Sequence, residues 1–196
     1  MFVTQIGEAL STSLQDLFTA SAFVGSAFEQ PELHWFAVQT RPRHEKKVAQ
    51  ELQTKGVLAY LPLHSALRQW SDRLQNVSLP LFPGYVFVRT RGTVGDRVAV
   101  LQTNGISRFV GMRGQGVSIP DQQIQAIKAV NNSGIAVDQY PFLKTGKRVR
   151  ICSGSLSGVE GVLISKNNED LSLVISVELI QRSLSVRISG FQVEAV

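Results

Sequence analysis

Three histidines, His34, His44 and His64, and one cysteine, Cys152, are the side chains of this sequence best suited to hold a metal or attack a substrate. Metal binding needs three or four such ligands converging, and covalent catalysis needs a nucleophile beside a base. The histidines fall on three different predicted elements with no Cys or carboxylate at a ligand spacing beside them. A single cysteine forms neither a zinc site nor an intramolecular disulfide. The sequence also contains no GxSxG elbow, no phosphate-cradling glycine loop and no carboxylate pair spaced for acid and base. We therefore expect no catalytic residues, no cofactor, no metal and no enzymatic activity.

Two other constellations remain, and both suit binding. The first is basic: Arg41, Arg43, His44, Lys46 and Lys47 open a predicted helix, with Arg43 and Lys47 four residues apart and so on one helical face. An anion there would relieve their repulsion, and a helix N-terminus adds its own positive potential. Ordinary solvation, with Glu45 as a partial neutraliser, is the alternative. The charge distribution sharpens the question, since residues 1–33 carry a net −4 and residues 34–118 a net +8 of the overall +5. Such a basic segment suits a phosphate backbone. The second constellation is aromatic: Trp35 together with Leu81-Phe82-Pro83-Gly84-Tyr85-Val86-Phe87-Val88. In a strand after Gly84, Tyr85 and Phe87 point to one face and Val86 and Val88 to the other. The aromatic face is either core or a dock for a partner helix.

The elements that must position these residues follow from periodicity. His34–Gln39 reads as a strand, and Thr40 with Pro42 starts an amphipathic helix over Arg43–Lys55, stopped by Gly56. Val57–Leu63 is a second strand. Residues 64–80 form a hairpin arm with Arg68, Trp70, Asp72 and Arg73 about its turn, and Leu81–Val88 breaks at Pro83-Gly84 before a third strand. A short helix at Val94–Gln102, a strand at Ile106–Val110 and a helix from Pro120 follow, with Ile124, Ile127 and Lys128 on one face of that helix. Residues 132–142 are the expected linker. Beyond it, short β-rich runs at Arg148–Cys152, Gly161–Lys166, Leu171–Leu179, Leu184–Ile188 and Phe191–Glu194 suggest a small all-β barrel. Val174, Ile175, Val177, Val186 and Ile188 are β-branched and favour it. Residues 1–31 read as a weakly ordered acidic extension with Leu10, Leu14, Leu17 and Phe18 at helical spacing.

Taken together, HWFAVQTRPRHEKKVAQEL, YLPL, LPLFPGYVFVR, GISRFVG and VRICSGSLSGVEG, in that order over most of residues 34–196, resemble the NusG family. The resemblance implies an α+β protein: a NusG N-terminal α/β sandwich at 32–131, a flexible linker at 132–142 and a five-stranded KOW β-barrel at 143–196. Gly154, Gly158 and Gly161 stand at the KOW positions, and a tight backbone path between strands is the physical reason for Gly161. It further implies a transcription elongation and antitermination factor. Trp35, Phe82, Tyr85 and Phe87, with Pro83 and Gly84 shaping the strand entry, would contact the clamp helices of the RNA polymerase β′ subunit, with β a further contact. Arg41, Arg43, His44, Lys46 and Lys47 would face the non-template DNA strand.

The C-terminal barrel is similar to a module that recruits ribosomal protein S10 or Rho, but Glu178-Leu179-Ile180-Gln181-Arg182-Ser183 replaces the housekeeping phenylalanine-glycine-arginine loop. That departure argues against Rho. The wording VELIQRSLSV and RPRHEKKV resembles specialised UpxY-like antiterminators. Housekeeping NusG, or a KOW-type RNA or ribosome binder without polymerase contact, are the alternatives. No apolar run approaches the ~20 residues of a membrane span, and no signal peptide is evident, so a cytoplasmic monomer is expected.

Overall fold

Alternation in Trp35-Phe36-Ala37-Val38 and in Tyr85-Val86-Phe87-Val88 builds a sheet that is buried on both faces. The computed structural model describes residues 32–70, 73–140, 146–167, 170–188 and 191–196. The acidic extension, its apolar spacing and the expected hairpin turn at Asp72 lie outside them. Strand β1 (His34–Thr40) is central, and helix α1 (Glu45–Thr54) follows it. Then come β2 (Leu58–Tyr60), β3 (Leu63–Trp70), β4 (Arg73–Pro80) and β5 (Tyr85–Thr90). Helix α2 (Val94–Leu101), β6 (Ile106–Phe109) and helix α3 (Asp121–Asn132) complete the N-terminal half.

The sheet runs β2-β5-β1-β6, with every pair antiparallel. In register, Phe36 faces Val88 and Val38 faces Val86. These four pack with Val48, Ala49 and Leu52 of α1, Val100 of α2 and Phe109 of β6. Helix α2 is capped by the Thr93 hydroxyl, which accepts from the Asp96 amide at 3.2 Å. The opposite face, with Trp35, Ala37 and Phe87, packs against Ile124 and Ile127 of α3. Strands β3 and β4 pair only with each other, as the hairpin arm expected from the sequence.

The C-terminal half is a six-stranded antiparallel sheet in the order β12-β8-β9-β10-β11-β7. Its strands are β7 (Val137–Tyr140), β8 (Lys147–Ile151), β9 (Glu160–Asn167), β10 (Asp170–Val177), β11 (Arg182–Arg187) and β12 (Val193–Ala195). Five match the β-rich runs of the sequence. The sixth, β7, lies inside the stretch assigned to the linker: Val137 faces Val186 and Tyr140 faces Ser183. The sequence hides it because Asp138 and Gln139 are poor strand formers, and backbone pairing rather than side-chain preference holds them. Val149, Ile151, Leu173, Ile175, Val186 and Ile188 meet in one core, to which α3 contributes Val130. A Cβ on Gly161 would stand 2.5 Å from the Val174 carbonyl oxygen, so only glycine lets β9 run this close to β10. From Leu33 to Val196 the chain is one compact unit. Among the described residues no helix is long and apolar enough to cross a membrane.

Candidate functional site

The aromatic constellation converges as its alternation requires. Tyr85 and Phe87 belong to one cluster with Trp35 and Phe82, while Val86 and Val88 belong to the cluster on the other face. Phe82 meets Phe87 edge-on at 5.7 Å between centroids, Phe87 stacks on Tyr60 at 6.3 Å, and Tyr60 meets Trp35 edge-on at 6.4 Å. These are favourable ring geometries, so the four rings form a stiff slab on the sheet. Gly84 takes a φ of +84°, which a side chain would strain, and it turns the chain from Phe82 into β5. Pro83 is exposed on that turn.

Three contributors to the slab escaped the sequence reading. Tyr60 comes from the short β2, where burial pushes its phenol up to about 12. The Lys128 ammonium lies 4.9 Å from the Trp35 ring centroid and 5.4 Å from that of Tyr60, and the Arg89 guanidinium lies 5.9 Å from Trp35. Such cation–π placements edge an apolar slab with positive charge. The sharing of one helical face by Ile124 and Lys128 was the only signal for Lys128.

The slab is covered. Val177, Ile180 and Leu184 of the C-terminal sheet join the same buried cluster, with Leu179 and Val137 against it. With Ile124 and Ile127 of α3 in the cluster as well, Trp35 and Phe87 are 1% and 0% exposed. The sequence left open whether this face is core or dock; here it is packed, under helix α3 and the C-terminal sheet together.

The basic constellation is arranged differently from its expectation. Helix α1 starts at Glu45, and Arg43 precedes it with a φ of +65°, so Arg43 and Lys47 do not share a helical face. A Pro-Arg-His turn stands in place of the extra helical turn, closed by the His44 amide donating to the Arg41 carbonyl at 3.1 Å and by the His44 ring N–H donating to the Pro42 carbonyl at 3.0 Å. Arg41, Arg43, Lys46 and Lys47 are nonetheless exposed together around the helix start, with His44 half-buried among them. Glu45 does not neutralise them at the surface. It is 6% exposed, and its carboxylate accepts the Gly84 amide at 2.8 Å. This bond ties the basic helix start to the aromatic turn, and a cleft of about 620 Å³ between them is lined by Pro42, Arg43, Lys46, His64, Pro83 and Gly84. Replacing Glu45 by alanine leaves the Gly84 amide unpaired and is expected to cost about 1–3 kcal/mol in urea denaturation. Glu45→Gln, which still accepts, should cost less, and equal stability of all three proteins would show that the bond does not hold the turn.

His34 and His64 lie on β1 and on the β3 arm of the hairpin, as the sequence placed them, whereas His44, expected within the helix, precedes α1. Among the described residues no three His, Cys, Asp or Glu side chains cluster to hold a metal. In the C-terminal half, Gly154 and Gly158 flank a 3-10 turn with φ of +79° and +82°. Glu178-Leu179-Ile180 forms another 3-10 turn, whose Ile180 presses on the slab.

The described residues thus set an aromatic slab on a helix-backed antiparallel sheet beside a basic turn. Residues 33–128 match the family model described as "Transcription termination factor nusG". Similar curated proteins are the transcription termination/antitermination proteins NusG of Lactococcus lactis and Deinococcus radiodurans. The first is 29% identical over 83% of this chain and 92% of its own length, the second 27% over 82% and 98%. A solved structure described as "Domain interaction in Thermotoga maritima NusG" covers 84% of this chain and 98% of its own, with a TM-score of 0.50 at 22% identity, a likeness of fold. The chain belongs to the NusG family.

Proposed function

We propose that the chain is a non-enzymatic transcription elongation and antitermination factor that grips RNA polymerase through the slab of Trp35, Tyr60, Phe82, Tyr85 and Phe87. The β′ clamp helices are the partner, and the chain works as a monomer in the cytoplasm. The observation that carries this reading is the slab itself: the rings of Trp35, Tyr60, Phe87 and Phe82 packed in series, with Tyr85 against the same cluster, under helix α3 and a second sheet of the same chain. Stiff aromatic anchors concentrate binding energy without much loss of side-chain entropy. A factor of this kind acts by binding the elongating state of the polymerase better than its paused state.

Arg41, Arg43, His44, Lys46 and Lys47 are the proposed contacts to non-template DNA. Reversing Lys46 and Lys47 to glutamate should weaken single-stranded DNA binding and flatten its salt dependence by about 0.7 in log–log slope for each phosphate no longer neutralised. An unchanged slope would remove these residues from the interface. The C-terminal sheet, read as a KOW module carrying Gly154, Gly158 and Gly161, is the proposed site for ribosomal protein S10. The Glu178–Ser183 sequence argues against Rho, and with VELIQRSLSV it favours a specialised, operon-specific role over a housekeeping one.

The direct test is capture of RNA polymerase by the full chain and by Tyr85→Ala. Tyr85 is only half-buried, so its loss should leave the fold intact by circular dichroism while capture falls at least severalfold. No capture by either protein, with tight binding to structured RNA instead, would replace this reading by an RNA-binding one.

A further inference from the structure

Helix α3 and the C-terminal sheet border a cavity of about 650 Å³ that serves neither the slab nor the basic turn. Its volume lies within the roughly 300–1,000 Å³ usual for small-molecule sites. Pro120 and Asn132, at the two ends of α3, both line it, so the helix forms one whole wall. Residues of β8, β9 and β10, with the turns that follow β8 and β10, form the other. The space exists because small residues face it: Ala126 and Ala129 from the helix, Gly158 and Gly161 from the sheet. A Cβ on Gly158 would meet no heavy atom within 4 Å, so the chain is open there.

Three kinds of polar group border the apolar walls. The carboxamides of Gln122, Gln125 and Asn132 on α3 each offer a donor and an acceptor together. Arg148 of β8 and Lys128 of α3 bring positive charge. Among the described residues neither has an ion-pair partner, and the Lys128 ammonium rests over the Trp35 and Tyr60 rings instead. Of the two carboxylates, Glu160 is taken by Arg150, whose Nε donates to it at 2.9 Å. Glu178, exposed after β10, keeps its acceptor capacity.

This set of groups selects a class of ligand. A purely apolar molecule would take the carboxamides out of water without pairing them. A bare anion would use neither the apolar walls nor Glu178, which would repel it. A phosphorylated nucleoside uses every part. Its flat base fits between Ala126 and Ala129 on one side and Val159 and Val162 on the other, with its polar edge toward the carboxamides. Glu178 suits the ribose hydroxyls, as acidic side chains do in dinucleotide sites, and Arg148 with Lys128 suits the phosphate. We propose that this cavity is a mononucleotide-binding site. It lies between α3 and the C-terminal sheet, so an occupant holds the two together by mass action. The inference does not rest on the polymerase reading, and its test contains no polymerase, so either can fail alone.

Calorimetric titration of the full chain with AMP, GMP, CMP and UMP tests the site. At least one should bind with a dissociation constant below about 1 mM, and at least about tenfold tighter than its own nucleoside. Arg148→Gln should close most of that gap, because the phosphate loses a partner while the base keeps its own. Gln125→Ala should weaken nucleotide and nucleoside alike, and Glu178→Gln should narrow the preference for the ribose over the deoxyribose form. All three side chains are exposed, so the fold should persist. Lys46→Glu with Lys47→Glu, in the basic turn, should change nothing. Absence of binding below about 1 mM by all four, a gap untouched by Arg148→Gln, or inorganic phosphate binding as tightly as the nucleotide would each overturn the proposal. Loss of binding in the Lys46 and Lys47 variant would assign the nucleotide to the basic turn and overturn it equally.

Discussion

Replacing Ile180 by glutamate is expected to raise the affinity of the full chain for RNA polymerase by at least about tenfold, or about 1.4 kcal/mol. Ile180 is 5% exposed and buries against the slab from the C-terminal side. A carboxylate there would be taken from water into an apolar cluster, which costs several kcal/mol and disfavours the covered arrangement. The slab residues are untouched, so their intrinsic affinity stays the same while the fraction of molecules able to bind rises. Apparent affinity scales with that fraction. Titration of labelled polymerase with the purified variant reads the effect. An unchanged dissociation constant would mean that the C-terminal sheet does not compete with the polymerase, and a weaker one would mean that Ile180 itself touches the polymerase.

Replacing Phe87 by alanine is expected to cost the fold about 3–5 kcal/mol, the loss typical of a fully buried phenylalanine. Phe87 has 0% exposure, stacks on Tyr60 and receives the edge of Phe82, so its removal leaves a cavity bordered by two rings that the sheet holds in place. Against the total of about 5–15 kcal/mol that holds a domain together, this is a large share. Urea denaturation of the variant should show a lower midpoint with the slope preserved; a loss under about 1 kcal/mol would show that the slab relaxes to fill the space. It follows that a failure of Phe87→Ala to capture polymerase would confound unfolding with the absence of a binding ring, which is why Tyr85 is the cleaner probe.

Much of the fold was legible because period-two alternation is strong in HWFAVQ and YVFV, and period-3.6 spacing is strong in Val48, Ala49 and Leu52 and again in Ile124 and Ile127. The faces assigned to Tyr85 and Phe87, and to Val86 and Val88, are those the structure has. Three features were not legible, each for a physical reason. Arg43 stands outside the helix with a φ of +65°, in a turn closed by local bonds of His44 to Arg41 and Pro42, and such bonds have no periodicity. Strand β7 exists through pairing with a strand more than forty residues away in sequence, which no local pattern announces. The covering of the slab brings Trp35 and Phe87 into one cluster with Ile124 and Ile127 of α3 and with Val177, Ile180 and Leu184 of the C-terminal sheet; each part alone reads as ordinary core.

Helix α3 carries a last consequence. Its Ile124 and Ile127 are buried in the slab cluster, while Val130, three residues further on, is buried in the core of the C-terminal sheet. One rigid rod is thus built into two cores, and strain applied at one is felt at the other through the backbone alone. The interaction energy of an Ile127 and a Val130 truncation in a double-mutant cycle is a direct gauge of how far the two halves of the molecule share one stability.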